Sequence, residues 1–384
     1  MSRAGDVPDR TLRYAIVGSG MMGREHIHAL AAIPDCEVVA ICDPDPESLE
    51  QGCRAVARSW DSNRGQHGGK YEIARFGKVH ELVAAGGFDV AVVATPNYTH
   101  RSVVEPLLNA GVHLLIEKPL CTTVQDCKDL ISLERRTAVS HKVVWVGLEY
   151  RYMAPTMRLL EHVSSGVLGR LHMLAIREHR FPFLPKVGDW NRFSNNTGGT
   201  LVEKCCHFFD LMRLVLRSEP SRVFASGAQD VNHLDETYDG RVPDILDNAL
   251  VIVDFENGAR ASLDLCMFAE ATKNEQEISV VGSLGKAEAL VTEGLVRLGL
   301  RANGWFQCDE DHVGHGAVPS SVLEHGAHHG SSWRQHLAMQ HAIRSGTTAT
   351  VSTQDGLMSV AMGEAAHRSI SLGRAVRMSE VLSS

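Results

Sequence analysis

Short apolar runs of strand-like residues recur along the first 150 positions, each followed by a stretch with helical spacing. Leu12–Val17, Glu37–Cys42, Val90–Ala94, His113–Ile116 and Lys142–Val146 are nearly continuous in Val, Ile, Leu and Ala. Runs of that kind read as strands buried on both faces, the signature of a parallel sheet. Helices are predicted from the glycines after Val17 through Ile33, then over Asp45–Arg58, Lys78–Ala85, Thr99–Ala110 and Thr122–Thr137. Ser59 to Tyr71, with Gly65, Gly68 and Gly69, reads as a surface loop. Strands alternating with helices predict a doubly wound α/β sheet with right-handed crossovers.

Past Trp145 the pattern changes. A helix is predicted over Pro155–Ser165 and another from about Leu201 to Leu216, with a polar, glycine-containing segment at Asp189–Thr200. Strands are predicted at Leu171–Arg180, Val223–Ala228, Asn248–Phe255, Ala259–Met267, Glu277–Val281 and Lys286–Leu290. Gly304–Gly330 reads as an irregular histidine-rich loop, and two helices near Ser332–Arg344 and Gln354–Leu372 close the chain. Strands largely in succession predict a C-terminal α+β domain built on a large, mostly antiparallel open sheet. Domain boundaries follow at residues 1–147 and 148–384, the closing helices being free to pack back on the first domain. A sheet with one bare face predicts a homo-oligomer joined through it.

Bulk composition narrows the class. The chain has 384 residues, 44% hydrophobic and 22% charged, which fits two globular domains. With 46 acids against 38 bases the net charge is −8, which argues against nucleic acid or an anionic membrane surface as the main partner. No apolar run approaches the ~20 residues of a membrane span, and Met1–Arg13 lacks an apolar signal core. Nine cysteines without a C-x-x-C pair, two of them adjacent at Cys205-Cys206, suit a reducing, cytoplasmic setting better than a disulfide framework. Two N-x-T matches, at Asn97 and Asn195, are read as chance in that setting.

Candidate chemistry begins at Gly18-Ser19-Gly20-Met21-Met22-Gly23, between a strand and a helix. In that context G-x-G-x-x-G is a dinucleotide loop: a tight turn, an open backbone and a close helix–strand contact, with the helix amino terminus facing phosphates. Asp43 lies twenty residues beyond Gly23 at the end of the next strand. An acid there accepts from the adenosine ribose 2′-hydroxyl and repels a 2′-phosphate, favouring NAD over NADP. At the end of His113–Ile116 stand Glu117, Lys118 and Pro119. A charged pair at the carboxyl end of a buried strand is out of place as structure, and it points Lys118 to the crevice where such sheets bind ligands. In the second domain Glu203, His207 and Asp210 are spaced to share one face of the predicted helix, whereas Lys204 is offset by about 100°. Histidine beside a carboxylate suits proton transfer near neutral pH. A metal centre on Glu203 and His207 lacks supporting ligand spacing, and the histidines of the 304–330 loop are read as a solvated surface.

These motifs together resemble the glucose–fructose oxidoreductase / inositol dehydrogenase / rhizopine-catabolism (Gfo/Idh/MocA) family. The resemblance rests on the glycine loop with His26, on Ala94-Thr95-Pro96-Asn97 with His100, and on Glu117-Lys118-Pro119. It continues through Tyr150-Arg151-Tyr152 with Pro155, Gly166-Val167-Leu168-Gly169, Gly198-Gly199 with Leu201, His207 and Asp210, Asp355-Gly356-Leu357 and Gly373-Arg374-Ala375-Val376. It implies a Rossmann domain binding NAD through Gly18 to Gly23, Asp43, Thr95, Pro96, Asn97, His100, Glu117 and Lys118. It implies Lys118 as hydrogen-bond partner of a reacting hydroxyl and His207 as acid/base. Family members often carry aspartate four residues before that histidine; this chain has Glu203. Trp190, Asn191 and Arg192 resemble the substrate loop, with Tyr152 and His179 as further candidates. The activity implied is NAD-dependent oxidation of a ring hydroxyl on a cyclitol, sugar or glycoside. Two rivals are a redox-neutral cycle on a tightly held NAD that cleaves or epimerises a glycoside, and a non-catalytic sensor.

Overall fold

The computed structural model describes residues 10–64, 73–137, 142–326 and 328–383, the side chains of 61–64 excepted. The chain divides into two compact units. The first holds residues up to Cys121, Gln125–Glu149 and Ala317–Leu357; the second holds Thr122–Val124, Tyr150–Gly316 and the chain from Met358 on.

The first unit begins β1 (Leu12–Val17), α1 (Met21–Ala31), β2 (Cys36–Cys42), α2 (Pro46–Arg64), β3 (Ala74–Phe76), α3 (Val79–Ala85), β4 (Val90–Val93). It continues α4 (His100–Asn109), β5 (His113–Glu117), α5 (Val124–Arg136), β6 (Val144–Gly147). The six strands are parallel in the order β3-β2-β1-β4-β5-β6. The order reverses between β1 and β4, so the carboxyl ends of those strands form the ligand crevice of a doubly wound sheet. Val90, Ala91, Val92 and Val93 are all fully buried. Each buried valine contributes about 1.5–3 kcal/mol relative to exposure, which is why the run is continuous rather than alternating.

The second unit has α6 (Ala154–Ser164), β7 (Leu171–His179), α7 (Ser194–Thr197), α8 (Thr200–Glu203), α9 (Cys206–Leu216), β8 (Pro220–Ala228) and β9 (Asn248–Phe255). Then come β10 (Arg260–Cys266), β11 (Gln276–Gly282), β12 (Gly285–Leu290), β13 (Leu295–Leu300) and β14 (Asp309–His312). Next are α10 (Ser320–Leu323) and α11 (Ser331–Ser345) of the first unit, then α12 (Thr353–Leu372), β15 (Val376–Arg377) and α13 (Met378–Leu382). The nine strands run β14-β13-β12-β11-β7-β10-β9-β8-β15, antiparallel except for β7 against β10. Burial alternates along β9, β10 and β11, as in a sheet covered on one face. On the other face Met173, Phe224, Leu250 and Ile252 are exposed.

The architecture is the α/β plus antiparallel α+β arrangement read from the sequence, with local corrections. α2 does not stop at Arg58 but runs to Arg64, and the remainder of the expected glycine loop, 65–71, lies outside the described residues. The 304–330 segment is not wholly irregular: β14 pairs with β13 from Leu295↔His312 to Leu298↔Asp309, and α10 follows. Asp309-Glu310-Asp311-His312 is an all-polar edge strand, so no alternation marked it. The helix expected over Leu201–Leu216 is two helices, α8 and α9, broken at Lys204-Cys205. There Cys205 N reaches back five residues, to Thr200 O at 3.4 Å, so the turn widens.

Candidate active site

β1 delivers the chain into a turn at Gly18, where φ is +88° and a Cβ would lie 2.6 Å from the Ala94 carbonyl. At Gly23 a Cβ would meet Gly18 O at 2.0 Å, so α1 lies closer to the turn than any side chain permits. Gly20 is the opposite case: a Cβ would meet no protein atom within 4 Å, which leaves that backbone open. Asp43 follows β2, and its Oδ2 accepts from Ser19 N at 2.7 Å and from Ser19 Oγ at 3.1 Å. Met21 is exposed and Met22 half-buried beside the loop.

Across the switch point Ala94 N donates to Val17 O at 2.8 Å, which brings Thr95, Pro96 and Asn97 beside the glycine loop. Thr95 Oγ1 accepts from Thr99 Oγ1 at 2.8 Å. Asn97 is buried, and its Nδ2 finds no acceptor among the described residues. A buried donor left unsatisfied costs about 1–3 kcal/mol, a cost that a ligand acceptor would remove. The open backbone at Gly20, the α1 amino terminus, the Asp43 carboxylate and the orphan amide of Asn97 fit a dinucleotide. Gly18–Gly23 would hold its pyrophosphate and Asp43 its ribose.

Lys118 is half-buried at the carboxyl end of β5, followed by a cis peptide to Pro119. Glu117 is buried and turned inward: its Oε1 lies 2.9 Å from His26 Nε2, and His26 Nδ1 lies 2.9 Å from His336 Nε2. Burial works against the Glu117 carboxylate, but the His26 contact outweighs it and holds its pKa below the usual range. His100 is fully buried, with Nδ1 2.9 Å from Pro119 O and Nε2 3.1 Å from Thr95 O; a neutral ring donates to only one of them. It ties the loops after β4 and β5 together. Burial, then the Glu117 charge, pushes Glu149 up to about 7, against the lowering pull of His328 and Lys118. A group that can change protonation near neutrality therefore lies within the electrostatic reach of Lys118.

His328, expected on a solvated loop, instead holds a buried carboxylate. Its Nδ1 lies 2.8 Å from Glu25 Oε1, which also accepts from Ser332 Oγ at 2.7 Å. Burial alone would raise Glu25, but the charge and hydrogen bond of His328 outweigh it and bring the pKa from 4.5 down to about 2. A depressed folded-state pKa stabilises the fold above pH 4.5, and that contribution disappears as pH falls toward 2. The contribution is about 3 kcal/mol. Glu25→Gln is expected to lower stability at neutral pH, with the gap to wild type closing below pH 4.5 in denaturant titrations. A gap independent of pH would contradict this.

In the second unit His207 is buried near the start of α9, stacked on Tyr150 with centroids 3.9 Å apart and planes 7° from parallel. Lys204 Nζ donates to Tyr150 Oη at 2.6 Å and lies 2.8 Å from Glu178 Oε1, all of these residues buried. Lys204 keeps a helical bond to Thr200 O at 2.9 Å, and the chain widens just after it. A lysine within Leu201-Val202-Glu203-Lys204-Cys205-Cys206 was the available signal, a charge in a segment otherwise fit for burial. Glu203 is buried as the last residue of α8, so Glu203 and His207 are not successive turns of one helix. Asp210 is fully buried and accepts from Arg151 Nε at 2.6 Å and Nη2 at 2.5 Å.

Trp190 is half-buried on the 3₁₀ segment Val187–Arg192. Arg192 is buried, donating from Nε to Glu236 Oε2 at 3.0 Å and from Nη1 to Asn191 Oδ1 at 3.4 Å. Glu236 also accepts from Tyr238 Oη at 2.7 Å and meets His233 Nδ1 at 2.7 Å. Glu236 lies 44 residues from Arg192, and no local pattern marks it as that partner. Tyr152 is half-buried, and His179 Nε2 lies 3.2 Å from Asp264 Oδ1. Among the described residues no group of three His, Cys, Asp or Glu is placed to hold a metal ion, and no helix is long and apolar enough to cross a membrane.

Comparison with known proteins bears on both units. Residues 12–148 match the oxidoreductase-family NAD-binding Rossmann fold, and residues 161–378 match the oxidoreductase-family C-terminal alpha/beta domain. The myo-inositol 2-dehydrogenase of Thermotoga maritima is 28% identical over 373 residues, 97% of this chain and all of that protein. The inositol 2-dehydrogenase of Rhizobium meliloti is 26% identical over 218 residues, 57% of this chain and 59% of that protein. A levoglucosan dehydrogenase solved with NADH and levoglucosan superposes with a TM-score of 0.82 at 18% identity, over 96% of this chain and 100% of that one, and supports the fold. With a glycine loop, ribose carboxylate and orphan amide that fit NAD, and with matched domains covering both units, the chain is an oxidoreductase of the Gfo/Idh/MocA family.

Proposed function

We propose that the protein oxidises a secondary ring hydroxyl of a cyclitol, sugar or glycoside, reversibly, with NAD. The observation that carries the reading is Lys118 at the carboxyl end of β5, in the sheet whose β1 and β2 end in the NAD-fitting loop and Asp43. NAD held by Gly18–Gly23 and Asp43 would supply the acceptor for the hydride of the carbinol carbon. Lys118 hydrogen-bonds the hydroxyl oxygen and lowers the cost of its deprotonation. His207 takes up the proton. Tyr150 keeps the His207 ring flat against its own, and Lys204 with Glu178 fixes the Tyr150 hydroxyl. Glu203 is the carboxylate assigned to the histidine. Trp190 and Tyr152 offer the aromatic face and donor that suit a polyol, and Arg192 with Glu236 holds the turn carrying Trp190. The nine cysteines, none of them joined in a disulfide, suit a reducing, cytoplasmic setting. The test is a panel of inositols, aldoses and glycosides against simple secondary alcohols, followed by product identification. Turnover confined to ring polyols is expected; preference for an acyclic alcohol would overturn the reading.

Two further outcomes follow. Asp43 predicts NAD over NADP, and Asp43→Ser is expected to narrow that preference at least tenfold in kcat/KM, about 1.4 kcal/mol. Native preference for NADP would contradict the assignment. The exposed Met173, Phe224, Leu250 and Ile252 support a homo-oligomer joined through the second unit's bare sheet face. Light scattering is expected to give a multiple of the 42.0 kDa chain, reduced by Ile252→Asp. A wild-type monomer at micromolar concentration would defeat that proposal.

A further inference from the structure

A cleft of about 390 Å³ opens in the first unit where α1, α2 and α10 meet. Its walls carry Arg24 and His28 from α1, Arg54, Arg58 and Ser59 from α2, and His325 just past α10, with no carboxylate among the lining residues. For a chain of net charge −8 this is a concentrated positive region.

His28 registers the local field. Burial, then the charges of His325 and Arg24, push its pKa down to about 4, against a smaller upward pull from Glu25. The imidazole is therefore neutral at pH 7, with Nδ1 2.7 Å from Ser59 Oγ. It stacks on His325 with centroids 4.3 Å apart, and the His325 ring is fixed by Nδ1 at 2.9 Å from Ser321 O. Of the nearby acids whose side chains are described, Glu25 faces His328 and Ser332, while Glu50 bonds Arg54 as well as Arg75 and offsets part of the charge at the edge of the cleft. Arginine forks suit phosphate oxygens, and a neutral imidazole with a hydroxyl adds donors without adding charge. Arg24 also donates from Nη1 to Ser19 O at 2.9 Å, so the cleft is wired to the back of the glycine loop.

We propose that this cleft is a binding site for a phosphorylated small molecule, separate from the dinucleotide site. An anion among these cations offsets the part of the penalty on protonated His28 that the neighbouring charges impose, while its burial stays, and so raises its pKa. Through Arg24 the occupied cleft is coupled to the glycine loop, and the coupling is reciprocal.

The test is calorimetric titration with inorganic pyrophosphate of protein already saturated with NAD, so that the glycine loop is not available to the probe. One binding event is expected, weakened at least tenfold in Arg54→Ala/Arg58→Ala and by a smaller factor in Arg58→Gln. NAD turnover should be unchanged in both. The His28 ring resonances should titrate at higher pH with pyrophosphate than without it. No binding to the NAD-saturated protein, equal affinity in the double variant, or an unmoved His28 titration would each overturn the proposal.

Discussion

Lys118→Ala is expected to lower kcat by about 10²–10³-fold, the loss on removing a preorganised donor to a developing oxyanion. NAD affinity should change far less, because the glycine loop, Asp43 and Asn97 are untouched. The lysine is half-buried beside a carboxylate that is already committed: Glu117 faces His26, which in turn faces His336. Glu117 Oε2 also accepts from Lys118 N at 3.3 Å, which ties the backbone of Lys118 to that frame. Lys118→Arg should rescue little, since the wider planar fork of a guanidinium places its donors differently from a compact ammonium. His207→Ala is expected to fall in the same range, and the double variant by much less than the product of the two, because the residues serve one proton transfer. Wild-type turnover in Lys118→Ala on every accepted polyol would sink the mechanism.

Arg151→Ala is expected to destabilise the second unit by about 3–5 kcal/mol, the cost of leaving a buried carboxylate without its cation. Asp210 is fully buried, and Arg151 contacts both of its oxygens at 2.5 and 2.6 Å. Asp210 lies on α9 three residues after His207, so the loss also frees the helix that carries the proposed acid/base. Arg151→Lys, which restores charge without the fork, should fall between the two. Denaturant unfolding measures the loss, and Arg151→Met/Asp210→Leu tests its cause by recovering much of the stability. An Arg151→Ala protein within 1 kcal/mol of wild type, about the worth of an exposed pair, would show that the pair does not hold this helix.

Much of the first unit was legible because its signals are local. Gly18, Gly20 and Gly23 mark a turn, an open backbone and a close contact within six residues, and Val90–Val93 declares its burial by having no polar position. The second site was less legible because its partners are remote or its helix irregular. Lys204 is offset by about 100° from the Glu203 position on an ideal helix, and nothing near it in sequence points to its partners Tyr150 and Glu178. Arg192 was read as a donor to substrate, and no nearby residue betrayed Glu236 as its partner. His328 looked like one more histidine on a polar loop, and only the fold brings it to Glu25, 303 positions away. β14 carries four polar residues in a row, a pattern that hydrophobic periodicity cannot register.

The most direct test of the central claim is the ratio of NADH formed to ketone formed on the best ring polyol found, followed to completion with product identified by mass. One NADH for each ketone is predicted, with both products formed far more slowly by Lys118→Ala. Product accumulating without NADH would contradict the account and establish a redox-neutral cycle instead.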